Sequence, residues 1–143
     1  MKNRNILLVE DDNDYAELTA ETLRRAGCHV TTAPDGRAAL RILEEGRVPV
    51  HLVITDVMMD YLSDGFDLAK RLRDHPQTRH IPIVLLTGVR RVYDVEAEVG
   101  EEWYPCDAFL EKPVDPHKLV STVASLLCPE VPRASYRVDV AEE

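Results

Sequence analysis

Short apolar runs alternate with helix-like patterns along the chain, and this alternation predicts the fold. The apolar runs are rich in Val, Ile and Leu and are short enough for strands, whereas the segments between them repeat apolar residues every three or four positions. The predicted strands are 5–10, 29–33, 51–56, 81–87 and 107–113. The predicted helices are 13–27, 35–46, 65–76, a less regular one near 90–100, and 115–129.

Five strands that alternate with five helices predict an α/β fold, in which a parallel sheet is covered by helices on both faces. The nearly continuous apolar stretches at 6–9, 52–54 and 83–86 agree with strands buried on both sides. The corresponding architecture is a doubly wound, flavodoxin-like (βα)5 three-layer sandwich. Its strand order would be 2-1-3-4-5, with the first and third strands flanking the point where the order reverses.

Two helices have inner faces that can be predicted from spacing, and both have clear terminal residues. Asp12 or Asn13 caps the first helix and Gly27 ends it, while Pro116 occupies the first turn of the last helix. The apolar face predicted for the first helix consists of Tyr15, Leu18, Thr22, Leu23 and Ala26. That of the last helix consists of Leu119, Val120, Val123, Leu126 and Leu127.

Polar residues with complementary chemistry lie at the carboxyl ends of four of the predicted strands. They are Glu10 and Asp11 at the end of the first strand, Asp56 at the end of the third, Thr87 at the end of the fourth and Lys112 at the end of the fifth. Parallel strands share one carboxyl edge, where open α/β sheets bind ligands, so we expect these side chains to meet. Adjacent carboxylates repel one another and form a hard oxygen site that suits Mg²⁺.

The same residues supply what phosphoryl transfer requires. A carboxylate can act as the nucleophile and become an aspartyl phosphate, while a divalent cation, a hydroxyl and an ammonium stabilise the phosphoryl oxygens. Each residue alone has an ordinary interpretation as a helix cap, a turn residue or a surface lysine. The joint placement at one sheet edge favours the functional interpretation.

Four segments, in this order, give the chain a specific resemblance. "ILLVEDD", "VITDVMM", "VLLTG" and "DAFLEKPV" resemble the receiver domain of two-component response regulators, and the resemblance covers about residues 4–128. It implies that Asp56 is the phosphoacceptor and that Thr87 and Lys112 stabilise the phosphoryl group. It also implies a switch formed by Thr87 and Phe109, and a cis peptide bond before Pro113. The implied Mg²⁺ ligands are Glu10, Asp11, Asp56 and the backbone carbonyl of Met58.

The implied function is a signalling one. The protein would accept a phosphoryl group from a sensor histidine kinase or phosphotransfer protein, and would be no enzyme beyond its own phosphorylation and dephosphorylation. Its response would alter the face formed by the helix near 90–100, strand 107–113 and helix 115–129, and so control a downstream protein. The resemblance also allows a homodimer through this face.

Two alternatives stay open from the residues. One is a phosphorylation-independent interaction module that keeps the fold without the switch. The other is a Mg²⁺-dependent phosphatase with an Asp nucleophile. Such enzymes commonly carry a second Asp two positions later as the general acid, where this chain has Met58, which cannot transfer protons.

The chain departs from the family pattern in two segments. Asp60 stands where receivers usually have proline, and the loop to Asp64 and Gly65 is one residue longer. The segment 88–106 is also longer and strongly acidic; it is either a solvated face or a docking surface anchored by Tyr93, Trp103 and Tyr104.

In this family the residues two positions after the acceptor Asp and two after the Thr influence attack of water on the acyl phosphate. Met58 and Val89 occupy these positions, and neither side chain can orient a water molecule. The sequence therefore predicts slow self-dephosphorylation.

The length and charge of the chain bear on its number of domains, its partners and its location. The 143 residues suit one domain, predicted at 4–128 with a polar tail at 129–143, which would make the protein a stand-alone regulator. The formal net charge of −9 argues against nucleic-acid binding. No apolar run could span a bilayer or serve as a secretory leader, so we expect a cytoplasmic protein with Cys28, Cys106 and Cys128 as reduced thiols.

Overall fold

The computed structural model describes residues 2–56, 64–88 and 106–128. Its strands are β1 (Asn5–Val9), β2 (His29–Ala33), β3 (Leu52–Asp56), β4 (Ile83–Gly88) and β5 (Ala108–Lys112). Its helices are α1 (Asn13–Arg25), α2 (Gly36–Glu45), α3 (Asp64–Asp74) and α4 (Pro116–Leu127). The predicted helix near 90–100 and the predicted tail at 129–143 lie outside the described residues.

The five strands form one parallel sheet in the order β2-β1-β3-β4-β5, as predicted. The order reverses between β1 and β3, where Val9 is the register partner of Thr55. The residues that follow β1 therefore lie beside the end of β3. On the other side of β3, Asp56 is aligned with Leu86 of β4.

Alternation along the strands divides the core between the two faces of the sheet. One apolar cluster joins the sheet to α2 and α3 and includes Leu7, Val53, Leu85 and Leu72. The other joins it to α1 and α4 and includes Leu8, Ile54, Leu86 and Val123. Because successive residues of a strand face opposite sides, both faces of β1, β3 and β4 are buried, and this explains their continuous apolar sequences.

Side-chain caps start the helices where the sequence predicts. The carboxylate of Asp12 accepts a hydrogen bond from the Tyr15 amide at 3.1 Å, and that of Asp35 accepts one from the Ala38 amide at 2.8 Å. Gly46 ends α2 with a left-handed φ of 64°, a conformation that glycine adopts without a Cβ clash. The observed ends differ from the predicted ones by one or two residues.

The predicted inner face of α1 was partly wrong. Leu18 is 65% exposed, and the buried residues of α1 are instead Ala16, Thr19, Ala20 and Leu23. The helix presents its small residues to the sheet, and the larger Leu18 is left on the outside. For α4 the prediction was better, since Leu119, Val123 and Leu127 are buried.

All three cysteines lie within the described residues, and none of them forms a disulfide bond there. Cys28 and Cys106 are buried in the two core clusters, whereas Cys128 is exposed. Burial raises the pKa of the Cys106 thiol to about 12, so this thiol is unreactive at neutral pH. Among the described helices, none has the length and apolar content needed to cross a membrane.

Candidate functional site

The carboxyl edge of the sheet brings together the three acidic side chains predicted to meet there. Glu10 and Asp11 directly follow β1, and Asp56 is the last residue of the adjacent β3. One carboxylate oxygen from each of the three lies within 4.8 Å of the others. Glu10 and Asp56 are buried, and Asp11 is exposed, so the cluster opens to solvent on the side of Asp11.

Lys112 reaches this cluster from the end of β5. Its Nζ lies 2.6 Å from Asp56 Oδ2 and 2.8 Å from Glu10 Oε1. Because β4 separates β5 from β3, the lysine side chain extends past the end of β4 to make these contacts. The peptide bond between Lys112 and Pro113 is cis, as the resemblance implied.

Within the part of the chain that the structure describes, the cluster is electrostatically unbalanced, because three carboxylates face one positive charge, that of Lys112. Burial, reinforced by the negative charge of Asp56, raises the pKa of Glu10 to about 7, although the hydrogen bond to Lys112 opposes the shift. Burial also acts to lower the pKa of Lys112, but hydrogen bonds to Asp56 and Glu10 outweigh it and raise the pKa above its usual value. The arrangement therefore favours an ammonium and disfavours a third carboxylate charge.

These donors fit a hard divalent cation. All three acids offer oxygen atoms, and the exposed position of Asp11 leaves room for the water molecules that Mg²⁺ retains. A cation would also reduce the repulsion between Glu10 and Asp56, which adds to the effect of burial on the pKa of Glu10. Met58, whose backbone carbonyl was predicted as a further ligand, lies outside the described residues.

Asp12 has the structural role predicted for it. Its side chain caps α1, and its backbone N–H donates to Glu10 Oε2 at 3.2 Å. The residue therefore helps to orient Glu10 without contributing a carboxylate to the cluster.

Thr87 and Phe109 lie on one face of adjacent strands. Phe109 is the register partner of Leu85, so strand alternation places it on the same face as Leu85 and Thr87. Thr87 is 1% exposed, its hydroxyl donates to the Gly88 carbonyl at 3.3 Å, and Phe109 is half-buried against the core. Val89 lies outside the described residues.

Sequence reasoning missed two interactions of buried or half-buried charged residues, one at the site and one at the other edge of the sheet. The ring of Tyr15 lies next to Lys112, with 4.6 Å between Nζ and the ring centroid. At the opposite edge of the sheet, Asp107 is buried and paired with Arg73 at 2.5 Å. The sequence did contain a signal for the partner of Asp107. This acid directly precedes an apolar strand, and a carboxylate buried there would be unfavourable without a positively charged partner.

A family model described as the response regulator receiver domain matches residues 6–124. This chain belongs to the response regulator receiver family. The family is a phosphoacceptor signalling module of two-component systems, and receiver domains bind Mg²⁺ at an acidic pocket. The predicted family and fold are thereby confirmed.

Curated relatives of very different length share the domain. An uncharacterized 14.6 kDa protein of Leptolyngbya boryana is 36% identical, over 83% of this chain and 86% of its own length. The transcriptional regulatory protein CpxR of Escherichia coli is 34% identical, over 85% of this chain but 48% of its own length. The 3′,5′-cyclic-nucleotide phosphodiesterase regA of Dictyostelium discoideum is 30% identical, over 96% of this chain and 17% of its own length. The chain thus spans under half of the two larger relatives.

Solved structures of receiver proteins superpose on the whole fold. A putative response regulator from Chloroflexus aurantiacus has a TM-score of 0.75 and 34% identity, covering 88% of this chain and 98% of its own. The response regulator TrrA from Thermotoga maritima, solved in complex with Mg²⁺-BeF, has a TM-score of 0.71 and 27% identity, covering 87% of this chain and 99% of its own.

Proposed function

We propose that this receiver accepts a phosphoryl group on Asp56 from a sensor histidine kinase or a phosphotransfer protein, in a Mg²⁺-dependent reaction. The contact that carries the proposal is that of Lys112 Nζ with Asp56 Oδ2, at 2.6 Å, inside a cluster that also holds Glu10 and Asp11. An isolated acid at a strand end would need neither a buried ammonium nor two further acids around it. The acting unit would be residues 4–128, in the cytoplasm, where the three thiols are expected to stay reduced.

The proposed chemistry is a direct displacement at phosphorus. An oxygen of the Asp56 carboxylate attacks the phosphorus of a phosphohistidine, the new O–P bond forms, and the P–N bond breaks as the histidine nitrogen takes the electron pair. Lys112 is placed to balance the charge that gathers on the phosphoryl oxygens, because its ammonium already contacts the attacking carboxylate. The Thr87 hydroxyl would donate to another phosphoryl oxygen.

Glu10, Asp11, Asp56 and the carbonyl of Met58 would hold Mg²⁺. The bound cation would supply positive charge that offsets repulsion between the incoming phosphoryl group and the three carboxylates. The crowding of three carboxylates around one oxygen-lined position supports this assignment. The complex of TrrA with Mg²⁺-BeF is consistent with it.

The proposed response passes from Thr87 to Phe109. Movement of Thr87 toward the phosphoryl group would free space on the face that it shares with Phe109, and the half-buried ring could then turn inward. The surface formed by β5, α4 and the segment near 90–100 would change shape and bind a downstream protein, or a second copy of the chain, differently. A shift from 1:99 to 99:1 between two such states requires about 5.5 kcal/mol of differential stabilisation.

The direct test is to incubate the protein with acetyl phosphate and Mg²⁺ and to measure its intact mass. We expect a gain of one phosphoryl group in the wild type, no gain in Asp56→Asn, and no gain when EDTA removes the metal. Asp12→Asn is the matched control, because Asn also caps helices and the residue lies two positions from Glu10 without joining the cluster. A wild-type protein that stays unmodified would favour the phosphorylation-independent interaction module instead.

The lifetime of the phosphorylated state forms a separate part of the proposal. Met58 and Val89 are apolar at the two positions from which receivers influence water attack, so we expect slow decay after the donor is removed. The double substitution Met58→Asn and Val89→Glu should accelerate decay measured by intact mass. An unchanged decay rate would show that these positions do not control the lifetime here.

A further inference from the structure

Tyr15 contacts both the side chain and the backbone at the end of β5, although it belongs to a different part of the chain. Its ring centroid lies 4.6 Å from Lys112 Nζ. Its hydroxyl oxygen accepts a hydrogen bond from the Val114 amide at 3.2 Å. One side chain of α1 therefore holds the ammonium and the loop that follows it.

The fold explains why the two residues meet. Lys112 has the same strand parity as Leu110, which is buried in the core cluster shared with α1 and α4, so Lys112 projects toward that side of the sheet. Tyr15 lies in the first turn of α1 and packs against the same cluster. The first turn of α1 starts at the carboxyl edge of the sheet, because it follows β1 after a three-residue connection, 10–12.

The surroundings of Lys112 Nζ are then defined by three groups. The Asp56 carboxylate accepts its hydrogen bond, the Glu10 carboxylate forms an ion pair with it at 2.8 Å, and the face of the Tyr15 ring covers it at cation–π distance. A free lysine side chain has many rotamers and a strongly hydrated ammonium. Both are restricted here, since Lys112 is only 22% exposed.

We propose that Tyr15 is a positioning residue for Lys112, and that its ring keeps the ammonium directed at the Asp56 carboxylate during phosphoryl transfer. This inference rests on the proposed function for its reaction, but the contact itself does not. The ring performs the orienting role, and the hydroxyl secures the loop through Val114. Substitutions can separate these two contributions, because phenylalanine keeps the first and loses the second.

The test compares phosphorylation rates with acetyl phosphate and Mg²⁺ in variants of the full chain. Tyr15→Leu, which fills part of the volume without an aromatic face, should slow phosphorylation about five- to tenfold. Tyr15→Phe should show a smaller decrease, because the ring is retained. In a Lys112→Met background Tyr15→Leu should have no further effect, since the group that the ring positions is gone. Leu126→Ala is the control for general loosening: it trims the same core cluster away from Lys112 and should lower the melting temperature without slowing phosphorylation.

A second measurement detects the contact without any reaction. An aromatic ring 4.6 Å from Nζ should shift the NMR signals of the Lys112 ε-methylene protons, and this shift should persist in Tyr15→Phe and disappear in Tyr15→Leu. Amide hydrogen exchange at Val114 should accelerate in both variants, because both lose the acceptor hydroxyl.

Three outcomes would overturn the positioning role. They are a wild-type rate in Tyr15→Leu, an equal decrease in Tyr15→Phe and Tyr15→Leu, and an equal decrease with and without Lys112. If the wild type is not phosphorylated while the ring-current shift is present, the proposed function has failed, and the Tyr15 contact is structural alone.

Discussion

Two buried ion-pair clusters lie at opposite edges of the same sheet, and they differ in how completely their charges are matched. At the amino edge, Arg73 pairs with Asp107, and at the carboxyl edge, Lys112 pairs with Asp56 and Glu10. The basic side chains are equally accessible, at 21% for Arg73 and 22% for Lys112. Burial alone therefore does not distinguish the two clusters.

The difference lies in the number of partners. Arg73 also donates to the carbonyls of Arg79 and Ile81, at 2.9 and 3.0 Å, and Asp107 Oδ2 also accepts from the Ile83 amide at 2.8 Å. This pair ties α3 to the start of β4 and β5 and matches one charge with one charge. At the carboxyl edge, among the described residues, one ammonium faces three carboxylates, and the pKa of Glu10 is raised to about 7. The matched pair stabilises the fold. Under the proposed function, the excess negative charge of the unmatched cluster would instead bind a cation, which would then allow a phosphoryl group to approach.

The largest change in the free energy of unfolding is expected when the matched pair, Arg73 and Asp107, is broken. Asp107→Ala should lower the free energy of unfolding by about 3–5 kcal/mol, because it leaves Arg73 without its buried counter-charge and the Ile83 amide without its acceptor. Urea denaturation followed by circular dichroism measures the change. Asp107→Asn, which keeps an acceptor oxygen, should lose less. A loss below about 1 kcal/mol for Asp107→Ala would place the pair among ordinary surface contacts and would break the comparison.

A metal should stabilise the unmatched cluster specifically. At a Mg²⁺ concentration of about 100 times Kd, the free energy of unfolding should rise by about 2.7 kcal/mol. Thermal melting with and without Mg²⁺ measures the increment. Asp11→Asn should reduce it, since the variant replaces one of the three carboxylates with a neutral amide, whereas Asp107→Asn should keep it despite a lower starting stability. An equal increment in Asp11→Asn and wild type would argue against the assigned site.

Removal of one acid from the unmatched cluster should stabilise the metal-free protein at high pH. The pKa of Glu10 rises from 4.5 to about 7 on folding, so the native state favours protonated Glu10. The resulting stability is complete below pH 4.5 and is lost as the pH rises through 7. Glu10→Gln should therefore be more stable than wild type by about 3 kcal/mol well above neutrality, with a difference that shrinks toward acid pH.

Urea denaturation in EDTA across this pH range checks the Glu10 prediction. With Mg²⁺ present the advantage of Glu10→Gln should shrink, because the cation stabilises the ionised carboxylate. An advantage that is independent of pH would mean that the charge of Glu10 is not its source.

The smallest change in the free energy of unfolding is expected at an exposed ion pair, because its charges are neither buried nor in excess. Arg25 and Glu21 lie one turn apart on α1 at 3.2 Å, with side chains 80% and 53% exposed. Glu21→Ala should change the free energy of unfolding by less than about 0.5 kcal/mol. The same urea titration detects it, and an effect as large as that of Asp107→Ala would remove burial as the explanation for the amino-edge pair.

Most of the fold and the carboxylate cluster at the carboxyl edge could be predicted from the sequence, because both follow from the local hydrophobic pattern and the topology of the sheet. Strands with continuous apolar sequence must be buried on both faces, and parallel strands bring Glu10, Asp11 and Asp56 to one edge. The partners that fix Lys112 could not be predicted in the same way. The contact between Tyr15 and Lys112 joins residues 97 positions apart and depends on which way α1 packs.

The exposed position of Leu18 also shows that the sequence does not determine how α1 packs on the sheet. Periodicity places Tyr15, Leu18 and Leu23 near one another on α1, but an apolar stripe does not reveal which edge of it meets the sheet. The small side chains of Ala16 and Ala20 allow close approach, and the helix packs through them, which exposes Leu18 and brings Tyr15 to the end of β5.

By itself, the sequence determined the order of strands and helices, the residues at the strand ends and the chemistry that they offer, because these follow from periodicity and residue type. Only the tertiary structure decided which charges are matched. The energy of a charge depends on its distance to every neighbour and on its burial, and both are set by packing between segments far apart in the chain. For this reason Asp107 and Glu10, two buried acids beside apolar strands, differ: one is fully paired with Arg73, and the other holds its proton to about pH 7.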